Sequence, residues 1–458
     1  MSIKRKQPRV PALALTCGLY VIATGPLDRA AAARPAGEEP ALALGPTLER
    51  GALIEAVLER NPTLEAARHA WRAALQRVPQ ATSLDDPTLS YSVGPLSIAS
   101  DARFGQVVRL AQRLPAAGTL RLRGEVARGE AAVAHHELGA ARLAVAHMAA
   151  LLFDDYYYLH RAIEINEEHV SLLEDFKRIA TARYAAGTAA QQDPLQAEVE
   201  VAHLLHRRVV LESARQVSVA QINALLHRRP EQPLPPPPPA LAHPGPEPPT
   251  ATALQELAVQ ARPELRAARA EIHAREAGVE LREKRFRPDF EVMSSFNSMW
   301  GTAEHRWMVG VGVRLPLRRG RIRAGVAEAE ARLAQARSQR ARVEDEVRSE
   351  VHQAYARLEE ARHVVRLHLD RLLPAARDQV QAALAGFRSG RNSFLALIEA
   401  ERNQRTSRLS LEAALAGHGR ASADLDRALG RIPGSPGGPG APVEAPPPVA
   451  AGTKEMER

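Results

Sequence analysis

The chain has 458 residues, 45% of them apolar but only 4% aromatic, with a formal charge of +8 and a single cysteine, Cys17. One cysteine excludes a disulfide framework and any zinc site built on cysteine, and the scarcity of rings argues for close-packed Ala/Leu/Val helices over one large aromatic core. The positive balance invites a nucleic-acid reading, but Lys+Arg (61) and Asp+Glu (53) are interleaved, as where Arg342 and Arg348 flank Glu344, Asp345 and Glu346. Interleaved charge is the mark of a solvated helix face, and no nucleic-acid motif surrounds the arginines.

Residues 1–33 read as a secretory signal peptide: Lys4, Arg5 and Lys6, an apolar run from Val10 to Thr24, then Ala30 to Ala33. The run is shorter than the ~20 residues a spanning helix needs. Cys17 within it is a candidate lipid anchor, although Ala14-Leu15-Thr16 departs from a lipobox.

Beyond it the chain repeats. In residues 48–230, a helical segment interrupted at Asn61-Pro62 leads to strands at 87–96 and 103–114, then a helical hairpin over 119–230. In residues 251–433 the same order returns: a break at Arg262-Pro263, strands at 288–300 and 305–317, and a hairpin over 322–432. The two prolines lie 201 residues apart (263 − 62), as do the Arg-Leu-Pro triplets at 113–115 and 314–316. X-Pro is expected to end one helix and open the next, because proline fits a first helical turn.

The strands alternate. Trp307, Val309, Val311, Val313 and Leu315 fall on one face, with Met308, Gly310, Gly312 and Arg314 on the other; Phe290, Val292 and Phe296 likewise oppose Asp289, Glu291 and Asn297. Phe104, Val108, Leu110 and Leu114 oppose Gly105, Arg109 and Arg113 in the same way. An apolar face backed by a small or polar one suits a transmembrane barrel wall; on pattern alone it suits a half-buried hairpin of a soluble domain equally. The export signal and the repeat favour the barrel.

The helix after each strand pair is expected to be very long. Gly124, Gly129 and Gly139 are the weak points of the first, and Gly325, Pro374 and Gly386 those of the second. Each turns at a glycine, Gly187 or Gly390, 203 residues apart (390 − 187), with Tyr184 and Phe387 three residues before. Glycine accepts the positive φ such a reversal needs. On the returning helix Val199, Leu204, Val209 and Leu211 form a stripe expected in the core. Residues 231–250, with five consecutive prolines at 235–239, are an extended connector, and 434–458 a disordered tail.

At this point the chain resembles the TolC-like outer-membrane efflux channel proteins. The resemblance spans 48 to 433 and rests on Asn61-Pro62-Thr63-Leu64 with Ala66-Ala67-Arg68, residues 109–118, 313–320 and 327–337, and the two glycine turns. It implies a mostly α fold with a small β part. In a homotrimer four strands per chain would build a 12-stranded barrel, continued by a helical coiled-coil tunnel through the periplasm. It also implies an exit duct in the outer membrane, in contact with its lipid, for an inner-membrane RND-type or similar pump linked through a periplasmic adaptor. By the same resemblance the glycine turns are the docking tip: Arg183, Tyr184, Gly187 and Thr188 with Phe387, Gly390 and Arg391. A tunnel gate would use acids just beyond the tip, here Asp193 and Glu399, with Ala396 standing where another acid is often found.

Residues 114–118 and 327–331 look like the branch that serves heavy-metal pumps, so metal cations or drugs are the expected cargo. His135-His136 and the His203/His206 pair have spacings a metal accepts, but no denser cluster accompanies them, and no cofactor or catalytic set is expected. Arg318 to Arg323 sit at a strand–helix junction, where structural or lipid-headgroup roles fit. The competing reading is a periplasmic coiled-coil adaptor or scaffold without a barrel.

Overall fold

A computed structural model describes residues 45–94, 105–300 and 303–434. The signal segment with Cys17 and the tail after Gly434 lie outside the described residues, as do the far ends of the first strand pair.

Helix α1 (Arg50–Arg60) stops and α2 (Pro62–Thr82) starts at Asn61, whose side chain accepts from the Thr63 amide at 3.0 Å while Pro62 occupies the first turn. The second copy repeats this at Arg262, between α5 (Ala251–Ala261) and α6 (Pro263–Glu283). The two joints do the same work with different chemistry. Asn61 Nδ2 donates to the Leu225 carbonyl at 3.0 Å, ending α4 (Gln192–Leu225). Arg262 Nη1 donates to the carbonyls of Arg427 and Ala428, both at 3.3 Å, at the end of α9 (Phe394–Ala428). Both side chains are buried, and each satisfies helix-end carbonyls that have no intrahelical partner.

Strands β1 (Thr88–Gly94), β2 (Gly105–Leu114), β3 (Asp289–Asn297) and β4 (Trp307–Arg314) form one antiparallel sheet in the order β1-β2-β3-β4. The strands of the two repeats meet at β2 and β3, with Val108 opposite Phe296 and Leu114 opposite Phe290.

Helix α3 (Thr119–Ala185) is continuous for 67 residues, about 100 Å at ~1.5 Å per residue. Gly124, Gly129 and Gly139 do not interrupt it; a Cβ on Gly129 would lie 2.6 Å from that of Ala274, so this glycine lets α3 and α6 pack backbone-close. The second long helix is α7 (Arg319–Leu367) and α8 (Leu373–Arg388), joined by a π turn over His368–Leu372. The break falls at Pro374, whose missing N–H cannot serve the helical ladder; Gly325 and Gly386 lie within continuous helix.

Helix α3 packs on α1, α2 and α4 and, across the repeats, on α6 and α9. Polar links tie α3 to α9: Tyr157 donates to Glu412 at 2.7 Å, His147 meets Asp424 at 2.6 Å, and Arg420 reaches Asp155 at 2.5 Å. Along α7, Arg340 and Arg348 pair with Glu344, and Arg342 with Glu346, the solvated face the charge pattern implies. One expectation fails. Leu204 and Leu211 are buried, but Val199 and Val209 are 54% and 64% exposed. In a two-helix hairpin only one stripe of α4 reaches α3, and the flanking valines face outward. The connector after α4 is extended and lends carbonyls, Pro236 to the Leu48 amide and Pro235 to the Tyr156 hydroxyl.

Candidate functional site

Two regions bear on function: the sheet and the pair of helix reversals at the far end of α3 and α8. Strand register assigns every side chain of the sheet to a face. Leu89, Tyr91 and Val93 share a face with Val108, Leu110 and Leu114, then Phe290, Val292 and Phe296, then Trp307, Val309, Val311 and Val313. This face is open: Val309 is 81% exposed and Trp307, Val311 and Leu89 are close behind. The opposite face carries Ser90, Ser92, Arg109, Arg113, Asp289, Glu291, Asn297, Gly310, Gly312 and Arg314. There Arg113 pairs with Asp289 at 3.0 Å. The arrangement inverts a soluble hairpin, since among the described residues nothing covers its apolar side.

The two reversals are built alike. At the first, the Gly187 amide donates to Tyr184 O at 2.9 Å and the Thr188 amide to Arg183 O at 2.9 Å. At the second, Gly390 donates to Phe387 O at 3.1 Å and Arg391 to Gly386 O at 2.8 Å. These are the paired bonds of a Schellman cap, with Gly187 at φ 73° and Gly390 at φ 74° in the left-handed region. After the second turn Ser393 caps α9 by accepting from the Ala396 amide at 3.3 Å.

The turns touch. Arg183 Nη1 donates to the Phe387 carbonyl at 3.0 Å, and its guanidinium lies 4.6 Å from the Phe387 ring centroid. Phe387 is buried and tilts against Phe394, 5.5 Å between centroids. Beneath them Leu173, Phe176, Ala180, Ala197 and Leu204 of the first repeat pack with Ala383, Leu397 and Ile398 of the second. Phe387 is thus a core side chain as well as a tip residue. Tyr184, its counterpart, is exposed, as are Gly187, Thr188, Gly390 and Arg391, the last bonded through Nε to Ser389 at 3.1 Å.

The two acids do not meet. Asp193 is half-buried in the first turn of α4, where a negative charge suits the helix dipole, and Glu399 is exposed on α9. Among the described residues neither forms an ion pair. The acid that α9 does bury is Glu401, against His169 of α3, with Nδ1 and Oε2 3.5 Å apart. Burial, reinforced by Arg408 and Arg405, lowers His169 to about 4, and burial raises Glu401 while the same arginines oppose it. The imidazole is therefore uncharged at neutral pH, and the contact is not an ion pair. Arg402 reaches Glu200 of α4 alongside. Sequence reading missed this group. Nothing local in the sequence around Glu401 marks which helix faces it.

The histidine pairs resolve into packing and surface: His135 lies 4.7 Å from Trp71 and 5.5 Å from His136, while His203 and His206 are exposed. Among the described residues no group of three or more His, Cys, Asp or Glu is placed to hold a metal, and no helix is long and apolar enough to cross a membrane.

The family model described as outer membrane efflux protein matches residues 53–227 and again 254–431. The fold is that of several solved channels. The outer membrane protein VceC of Vibrio cholerae superposes with a TM-score of 0.71 at 18% identity, covering 83% of this chain and 96% of that one. CusC, solved in a study of transmembrane channel formation, gives 0.71 at 18% over 84% and 92%. The outer-membrane channel OprN gives 0.69 at 21% over 83% and 89%. No curated protein sequence matches the chain.

Proposed function

The chain belongs to the outer membrane efflux protein family, and from that premise we propose that three copies close one 12-stranded barrel in the outer membrane, continued by a helical tunnel in the periplasm. Family membership makes the protein a conduit and not an enzyme: the exit channel of a tripartite efflux system. The observation that carries the trimer is the sheet. Among the described residues its apolar face is uncovered, and β1 and β4 each leave an edge without a strand partner. Unpaired backbone N–H and C=O groups are not viable in lipid, where no water replaces the missing bonds, so closure needs further copies. Three copies of four strands give an even-numbered barrel of ordinary size.

In this reading the polar face with Arg109, Asp289, Glu291 and Arg314 lines the lumen. The tips with Tyr184, Gly187, Thr188, Gly390 and Arg391 meet the hairpin of a periplasmic adaptor, which joins the duct to an RND-type or similar pump. Asp193 and Glu399, each repeated three times, ring the tunnel mouth and favour cations. Choice of cargo, metal cation or drug, belongs to the pump. Membrane fractionation followed by sizing in detergent tests the reading: a membrane-bound trimer is expected. A monomer in the soluble fraction, released without detergent, would instead fit a periplasmic scaffold and overturn it.

A further inference from the structure

Where β3 begins and β4 ends, two basic runs converge. Arg285 and Arg287 lead into β3; Arg318, Arg319, Arg321 and Arg323 follow β4 and open α7. All six are exposed, and among the described residues none has an ion-pair partner, whereas the neighbouring Arg113, Arg121 and Arg123 are paired with Asp289, Glu125 and Asp85. The segment Lys284–Phe286 packs on α7, which brings the runs into one patch. Burial and then the like charges of Arg282, Arg321 and Arg123 lower the pKa of Arg285. Like charges gathered without counter-charges raise the free energy of the chain unless an anion comes to them.

The patch lies at one border of the open apolar face. Phe290, Val313 and Leu315 are exposed at that end of the sheet, and Leu317, the residue before Arg318, is 82% exposed. Hydrocarbon-compatible side chains followed at once by unpaired guanidinium groups reproduce the order of an acyl chain and its phosphate. Guanidinium is also the side chain best matched to phosphate oxygens. The start of α7, with no side-chain cap, adds the positive end of a helix dipole.

We propose that this arginine collar binds the headgroups of anionic phospholipids in the membrane leaflet next to the helical tunnel, fixing the depth at which the barrel sits. The proposal rests on the barrel reading above. Its occupant is a lipid and not a free phosphate, because the apolar border is part of the site.

The test uses the full-length protein purified from membranes. Native mass spectrometry counts lipids retained from an equimolar mixture of phosphatidylglycerol and phosphatidylethanolamine. Wild type is expected to prefer phosphatidylglycerol. Loss of one basic side chain near an anionic surface weakens attraction about fivefold, so R285Q/R287Q/R319Q/R321Q should lower the preference by more than about tenfold. The corresponding lysine variant should retain most of it, which separates charge loss from misfolding. Equal retention of both lipids by wild type, or an undiminished preference in the glutamine variant, would overturn the proposal. So would displacement by excess inorganic phosphate, or a change in the ion selectivity of the channel with lipid retention unaltered, which would place the collar in the lumen. A protein found in the soluble fraction would sink the barrel reading itself, whereas a membrane-embedded trimer without lipid preference would sink only this inference.

Discussion

Arg183 and Phe387, 204 residues apart in the chain, are joined twice, by a 3.0 Å hydrogen bond to the carbonyl and by the guanidinium lying over the ring. The contact fastens the helix reversal of one repeat to that of the other.

Arg183→Ala removes a charge-assisted bond and a cation–π contact at a half-buried position, about 1–2 kcal/mol together. The two tips are expected to separate more readily, which single-channel recordings in planar bilayers read as higher or more variable conductance. Phe387→Ala should add a stability loss of about 3–5 kcal/mol because that ring is core. Conductance unaltered by Arg183→Ala would mean the link does not hold the mouth.

The acids should act on the ions instead of the packing. Asp193→Ala with Glu399→Ala is expected to raise conductance and reduce cation preference with little change in thermal stability, since neither forms an ion pair among the described residues. Recordings identical to wild type would return both acids to ordinary surface roles.

At the paired joints, Arg262→Ala takes its donor from the Ala428 carbonyl, one of two bonds from the Arg427 carbonyl (which keeps the Gly430 amide at 2.9 Å), and the partner of Glu264 and Glu350, which the guanidinium reaches at 2.9 Å. A loss of about 1.5–3 kcal/mol is expected, against about 1 kcal/mol for Asn61→Ala. Thermal unfolding of the solubilised protein should rank them in that order.

Gly419→Ala tests a close approach. A Cβ there would sit 2.7 and 2.8 Å from the Asp154 carboxylate oxygens, which are buried and pair with the half-buried Arg50. Burial raises Asp154 to about 6 despite Arg50, so this carboxylate has little margin for displacement. Helix propensity favours alanine by about 1 kcal/mol, but disrupting a buried pair costs about 3–5 kcal/mol. A lower unfolding temperature is expected, and a higher one would show that the pair relocates freely.

Acid sensitivity should trace in part to His169. Its folded pKa of about 4 lies below the ordinary 6.5, so the unfolded chain binds the proton first. Stability from this group is therefore full above pH 6.5 and falls as pH drops from about 6.5 to about 4. His169→Leu should flatten that part of the stability–pH curve relative to wild type. Asp154 and Asp426, both raised to about 6, act in the opposite sense over the same range and remain in both proteins. Parallel curves for the two proteins would remove His169 from the account.

Much of this was legible in the chain itself. The duplication, the two-faced strands and the glycines of the reversals are written within a few residues, because strand periodicity and a left-handed φ are local demands. So was the substitution of Arg262 for Asn61 at equivalent joints, although not what each would bond. The tertiary structure alone decided the β2–β3 pairing that merges the repeats, the meeting of Arg183 with Phe387, the burial of Glu401 on His169, and the outward turn of Val199 and Val209. Each depends on which faces of distant helices and strands come together. A buried polar group takes its partner from whatever packing places within about 3 Å, and residues 200 positions away leave no local trace of that choice.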